Sequence, residues 1–279
     1  MVISVASGKG GTGKTTIAVN LALSLENQRK VQFFDCDVEE PNAAIFLKPE
    51  IKSRDKIFLP KPKIDLSKCN FCQECSKRCT YNAIAVVKDK WLFFPELCHS
   101  CGLCQIVCPT GAISETPEEK GIIESGKSGT IDFYQGVLKV GEASPVFLIR
   151  TLKKKIDRER LVIIDVSPGT ACSMVEAVKG TDFCLLVTEP TPFGKSDLGL
   201  AIQVLKDLRI PSGVVINKAG KNDEIINDFC AEIGIPVLMQ IPLDRRIAVS
   251  YSKGNPLISD MPEYKDSLQK LFFRISSLI

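Results

Sequence analysis

Eight cysteines fall in two runs of identical spacing, Cys69-x2-Cys72-x2-Cys75-x3-Cys79 and Cys98-x2-Cys101-x2-Cys104-x3-Cys108, and they dictate tight metal-wrapping loops in the middle of the chain. Three thiolates two residues apart can enfold one cuboidal iron–sulfur cluster from a short loop, leaving a displaced fourth thiolate in each run. Structural zinc is the other reading of paired cysteines, but it ordinarily uses two Cys-x2-Cys pairs set apart by a longer spacer. The octet therefore predicts iron and sulfide.

This spacing resembles that of bacterial two-cluster ferredoxins, in which the fourth cysteine of each run ligates the other cluster. The resemblance implies one [4Fe-4S] cluster on Cys69, Cys72, Cys75 and Cys108, and a second on Cys98, Cys101, Cys104 and Cys79. Neither half is then expected to hold its cluster well alone. Pro109 follows Cys108 as the pattern requires, whereas Thr80 follows Cys79, which leaves an extra N–H and a looser turn there. The lone histidine, His99, reads as a loop residue beside a cluster that already has four cysteines.

With 279 residues, 44% of them hydrophobic, the chain can bury one α/β domain plus a small insert. A net charge of +3, with the basic residues scattered among acids, predicts neither a nucleic-acid partner nor binding to an anionic membrane. Twelve cysteines with no basic leader ahead of an apolar core predict a reducing cytoplasm. Cys184 and Cys230 read as small core residues, while Cys36 and Cys172 flank the nucleotide motifs described below.

Short apolar runs alternate with amphipathic ones, predicting strands near residues 2–6 and 31–35 with a helix over 14–27 between them. Proline and charge at residues 59–65 and 114–121 predict linkers, which bound an insert over 61–116. Ala83-Ile-Ala-Val and Ala112-Ile follow the two fourth cysteines at matching positions, suggesting an internal duplication. A hairpin is expected over 121–140, then strands near 161–165, 183–188, 213–217 and 237–241, each followed by a helix. The predicted fold is α/β, a mostly parallel doubly wound P-loop sheet, with a small inserted α+β ferredoxin domain. The nucleotide-binding domain would thus be discontinuous, 1–60 plus 117–279. The stripe Leu268, Leu271, Phe272, Ile275, Leu278 and Ile279 reads as a last core helix rather than a membrane anchor.

Gly8-Lys9-Gly10-Gly11-Thr12-Gly13-Lys14-Thr15, followed by Thr16, fits G-x4-G-K-[ST] between a strand and a helix. Glycine lets backbone N–H groups approach phosphate at the positive end of that helix. Lys14 is expected to reach the β and γ phosphates of ATP or ADP, and the Thr15 hydroxyl to bind magnesium. The early Lys9 resembles the deviant P-loop of the MinD, ParA, Mrp and nitrogenase iron protein superfamily. That resemblance implies a nucleotide-sandwich dimer, a homodimer or a heterodimer with a paralogue, in which Lys9 reaches the opposite subunit's phosphates. It further implies that Asp37 of Asp35-Cys-Asp37 positions the attacking water, and that Asp165 of Asp165-Val-Ser-Pro-Gly-Thr holds magnesium with Thr15 and Asp37. Asn217 and Pro242 would border the adenine, although Asn217 also reads as a strand-end turn residue.

Resemblance to those superfamily ATPases that carry a two-cluster insert implies a slowly hydrolysing ATPase whose nucleotide state gates electron transfer to a redox protein partner. Two alternatives are an iron–sulfur cluster carrier of the Mrp kind and a redox-sensing positional switch of the MinD or ParA kind. Cys172 lies seven residues beyond Asp165, close to where the nitrogenase iron protein places a ligand of its bridging cluster. No second cysteine accompanies it between residues 121 and 161, so a buried or incidental thiol is the favoured reading.

Overall fold

The computed structural model describes residues 1–142 and 144–279. They form two compact units, one of Met1–Arg54, Ile123–Val137 and Val146–Ile279, the other of Asp55–Ile122 and Leu138–Pro145.

Eleven strands are present among the described residues: β1 (Val2–Ala6), β2 (Val31–Cys36), β3 (Glu50–Ile64), β4 (Ile84–Val87), β5 (Lys90–Phe93), β6 (Ile113–Ser128), β7 (Ile131–Leu138), β8 (Leu161–Val166), β9 (Phe183–Thr188), β10 (Ser212–Ala219) and β11 (Val237–Pro242). Nine of them make one sheet in the order β11-β10-β9-β1-β8-β2-β7-β6-β3. From β11 to β7 every pairing is parallel. Every residue of β1, β2, β8 and β9 is buried, as strands covered by helices on both faces must be. Successive side chains then serve opposite layers. Ile3 and Val5 join a core with Ile17, Leu21 and Leu25 of the helix Lys14–Leu25 and with Leu268, Leu271 and Ile275 of the helix Glu263–Ser276. The other layer buries Leu148, Ile149 and Leu152 of Val146–Lys153, and Met174, Ala177 and Val178 of Cys172–Val178. Each of the larger side chains among them, all but Ala177, contributes about 1.5–3 kcal/mol on burial.

The expected C-terminal helix therefore packs in the core through four of its six stripe residues, while Leu278 and Ile279 are exposed. Among the described residues no helix is long and apolar enough to cross a membrane. One expectation is corrected: the proline-rich stretch read as a linker lies inside β3, a strand of fifteen residues. Pro60 and Pro62 are tolerated because β3 is the last strand of the sheet, with no strand among the described residues on its outer side to need their missing donors. The charged stretch after Ser114 likewise belongs to β6. The hairpin expected over 121–140 is formed by β6 and β7 about Gly129 and Thr130.

The second unit holds the cysteines. Two four-residue helices, Glu74–Lys77 and Leu103–Ile106, sit at matching places in the two runs, and β4 pairs with β5 as an antiparallel hairpin. The duplication extends to the backbone. Phe71, Gln73 and Asn82 have φ of 51°, 67° and 53°, and Ser100, Gly102 and Gly111, at the same offsets from their cysteines, have φ of 54°, 74° and 63°.

Candidate functional site

In the first unit, residues 7–13 turn the chain from β1 into the helix Lys14–Leu25. Gly13 has φ of 92°, and a Cβ there would lie 2.3 Å from the Asn217 amide nitrogen, so only glycine fits. That amide donates to the Thr12 carbonyl at 2.7 Å, tying the end of β10 to the loop. Lys14 Nζ lies 3.1 Å from Asp37 Oδ2 and 3.6 Å from Asp165 Oδ1. The Thr15 hydroxyl donates to Asp165 Oδ2 at 2.6 Å. Burial works against the Lys14 ammonium, but Asp165 and Asp37 outweigh it and raise its pKa above the ordinary value. Burial pushes the Asp165 carboxyl up, with Lys14 and Thr15 pulling it back.

Asp35 is a third carboxylate here, fully buried. One of its oxygens accepts from Asp37 N at 3.1 Å; the other accepts from Asn42 N and Ala43 N, both at 3.0 Å. It thereby holds both ends of the loop that carries Asp37. Burial, then Asp165, pushes its pKa up to about 8. Ser167 on the next loop donates to the Cys36 carbonyl at 3.1 Å, and Gly169 N donates to the Ser7 carbonyl at 2.9 Å. The two loops beyond β2 and β8 are thus bonded to each other and to the P-loop.

A cavity of about 430 Å³ opens over these groups, within the size range of small-molecule sites. Gly10, Gly11, Gly13, Lys14, Thr15, Thr16, Asp37, Asn217 and Pro242 all line it. Gly8, Lys9, Thr12 and Asp165 do not. Lys9 instead pairs with Glu189 at 3.5 Å. Sequence reasoning missed Asn42, Asp244 and Tyr251 on the cavity wall. Asp244 stands two residues after Pro242 and could have been found by following the chain; Asn42 and Tyr251 carry no motif. Of the five buried side-chain oxygens without a hydrogen-bond partner among the described residues, three belong to this site: Thr12 Oγ1, Asn42 Oδ1 and Asp165 Oδ1. Buried oxygens left unpaired in this way fit a site made for a further ligand. The donor set, a hydroxyl and carboxylates with a lysine, fits magnesium and phosphate.

Cys172 is exposed, which corrects the buried half of its reading as a buried or incidental thiol, whereas Cys36, Cys184 and Cys230 are buried. Burial raises the pKa of each buried thiol.

In the second unit two cavities lie among the cysteines. One is lined by Cys69, Cys72, Cys75 and Cys108, and the other by Cys79, Cys98, Cys101 and Cys104. Each takes three cysteines from one run and the last from the other. Phe71 N points at Cys69 Sγ (3.4 Å), Ser100 N at Cys98 Sγ (3.4 Å) and Ala83 N at Cys79 Sγ (3.3 Å). The left-handed residues after the first cysteine of each run supply two of these donors. Burial pushes Cys75 and Cys104 up, the latter to about 11. Burial also works against Cys108, but Thr110 and the backbone N–H groups of Ala112 and Ile113 outweigh it and lower its pKa. No three His, Cys, Asp or Glu side chains among the described residues converge on a point that one metal ion would occupy. All eight cysteines are free of disulfides. Four thiols facing one cavity, with N–H donors aimed at the sulfurs, fit an iron–sulfur cluster. His99 is not part of either thiol set; its ring stacks on Tyr81, centroids 3.8 Å apart.

A parallel sheet whose first strand feeds a glycine loop, with Lys14, Thr15 and Asp165 meeting at its carboxyl end, defines a P-loop ATPase. More narrowly, the chain belongs to the family of CobQ/CobB/MinD/ParA nucleotide binding domains, whose sequence pattern matches residues 3–257. A Methanocaldococcus jannaschii protein of uncharacterised function is 31% identical over 281 residues, covering 96% of each chain. An iron–sulfur cluster carrier protein of the same organism is 24% identical over 290 residues, spanning 98% of this chain and 83% of its own. Among solved structures, the cell division ATPase MinD of Pyrococcus furiosus superposes with a TM-score of 0.62 at 21% identity, covering 100% of this chain and 99% of that one.

Proposed function

We propose that this ATPase couples its nucleotide state to electron transfer through two [4Fe-4S] clusters held by the second unit. The observation that carries the reading is the pair of cavities, each lined by three cysteines of one run and the fourth of the other. A cluster there would supply one-electron chemistry; the chain supplies four thiolates and backbone N–H donors to their sulfurs. The domains that follow from this reading are the ATPase, 1–60 plus 117–279, and the ferredoxin-like insert, 61–116.

In the nucleotide site the backbone of Gly8, Lys9, Gly10, Gly11, Thr12 and Gly13 would cradle phosphates, and Lys14 would leave Asp37 and Asp165 for them. Thr15, Asp165 and Asp37 would hold magnesium, Asp37 would also orient the attacking water, and Asn217 and Pro242 would border the base. Positioning and charge neutralisation are the main sources of rate in such hydrolysis. Lys9 would act across a dimer, formed with a second copy or with a paralogue. A redox protein would exchange the electrons.

The test is anaerobic reconstitution followed by iron and sulfide analysis, where about eight of each per chain are expected, and redox titration with and without ATP. Potentials and electron-transfer rates identical in both nucleotide states overturn the coupling. The similarity to proteins described as iron–sulfur cluster carriers favours a second reading, delivery of a cluster to an acceptor. Movement of radiolabelled iron from the loaded chain to an apo-ferredoxin would select it.

A further inference from the structure

The two cysteine cavities are alike in cysteine spacing and differ in the charges that hold them. The turn leading into Cys98, Pro95–Leu97, is pinned from β3 by Lys61. Its ammonium donates to the Pro95 carbonyl at 2.9 Å and to the Cys98 carbonyl at 2.8 Å. Lys61 is only 5% exposed, and among the described residues no carboxylate lies within ion-pair distance of it. The nearby acids Glu118 and Glu142 are bonded to Lys120 instead. The matching turn into Cys69 is held by an anion. Asp65 Oδ1 accepts from Ser67 N at 3.0 Å and from Ser67 Oγ at 2.6 Å.

Reduction of a [4Fe-4S] cluster adds one electron and therefore one negative charge, with no bond made or broken. A nearby positive charge favours the reduced form, and a negative charge opposes it. The ammonium, little exposed, acts through less solvent than Asp65, which is exposed and screened, and the Glu115 carboxylate on the wall of the Cys98 cavity is offset there by Arg78. Trp91, the sole tryptophan, pulls in the other direction, because its buried indole nitrogen lies beside Cys75 with no other partner among the described residues. An indole N–H is a neutral dipole and offsets less than a whole charge.

We propose that Lys61 makes the site of Cys79, Cys98, Cys101 and Cys104 the higher-potential of the two, so that an electron from a low-potential one-electron donor comes to rest there. The inference rests on the two-cluster reading, and iron and sulfide content of the native chain tests that reading separately. With the full chain reconstituted, redox titration with dithionite monitored by electron paramagnetic resonance is expected to resolve two couples.

Lys61→Gln should lower the higher potential by 59 mV or more, a tenfold change in electron partition, leaving the other in place. Lys61→Arg should restore it, and Trp91→Phe should move only the lower couple. Both couples moving together, or neither moving, overturns the proposal. An independent arm needs no change at Lys61: Cys79→Ser should alter the signal that develops first and Cys108→Ser the one that develops second. The opposite order overturns the proposal even if Lys61→Gln fails to fold.

Discussion

Lys9 Nζ lies 3.5 Å from Glu189 Oε2, and the same carboxylate also binds Lys218, so the lysine expected to act on a partner's phosphates is held by its own chain. The contact is partly exposed, with 33% of the Lys9 side chain in solvent, and such pairs contribute about 0.2–1 kcal/mol. Glu189→Gln should therefore strengthen ATP-dependent self-association roughly two- to fivefold, while Lys9→Ala should weaken it and leave ATP binding by the single chain intact. Sedimentation velocity with a non-hydrolysable ATP analogue measures both. Unchanged association in Lys9→Ala would sink the trans role.

Lys14 is a structural cation as well as a nucleotide ligand. Its ammonium sits among Asp37, Asp165 and Asp35, and removing one partner of a buried pair costs about 3–5 kcal/mol. Lys14→Met should lower the melting temperature of the nucleotide-free protein, by about 2–4 °C for each kcal/mol. Adding Asp37→Asn should recover part of that loss. Calorimetry of the single and double variants would expose the error if Lys14→Met melted like the native chain.

Asp35 gives stability a pH dependence of unusual sign for a carboxylate. Its folded pKa is raised from 3.8 to about 8, so between those values the native chain keeps a proton that the unfolded chain has released. Its contribution is complete below about pH 4 and declines as pH rises towards 8, with a slope of at most ~1.4 kcal/mol per pH unit. Urea titrations from pH 5 to 8 should give a shallower decline for Asp35→Asn than for the native protein. Equal slopes would refute the assignment.

Gln73 adopts φ of 67° where the second run has Gly102. The left-handed conformation costs a side-chain-bearing residue ~1–2 kcal/mol, offset in part by the extra freedom glycine has when unfolded. Gln73→Gly should raise stability by about 0.5–1 kcal/mol without changing iron content. A drop in denaturation midpoint would mean that the Gln73 side chain has a role of its own.

The motifs fixed by covalent spacing were the most legible parts of the chain. Lys14 and Thr15 meet Asp165 because a strand, a loop and a helix of set lengths bring them there, and hydrophobic runs declared the strands that do so. β3 was hidden because an edge strand can carry Pro60, Pro62 and alternating charge, the same composition as a linker. The second unit's reach, to Asp55, Ile122 and the segment Leu138–Pro145, has no compositional signature. Asp35 was visible as a motif residue, but its three backbone donors arise from how residues 37–43 fold back. Lys61 read as one more charge in a polar stretch; only the path of β3 brings it to the Cys98 carbonyl.

The exchange of last cysteines between the two cavities also sets an order on synthesis. Cys79 is made early and faces a set begun by Cys98, while Cys108 completes the set begun by Cys69. The set that includes Cys79 is complete only when residue 104 has left the ribosome and the other only with residue 108, so a chain truncated before Cys104 has no complete binding set at all. The P-loop emerges earlier still, yet both sheet neighbours of β1, which are β8 and β9, come from residues beyond 160. The small unit's thiols are therefore all in hand while the ATPase sheet still lacks its centre.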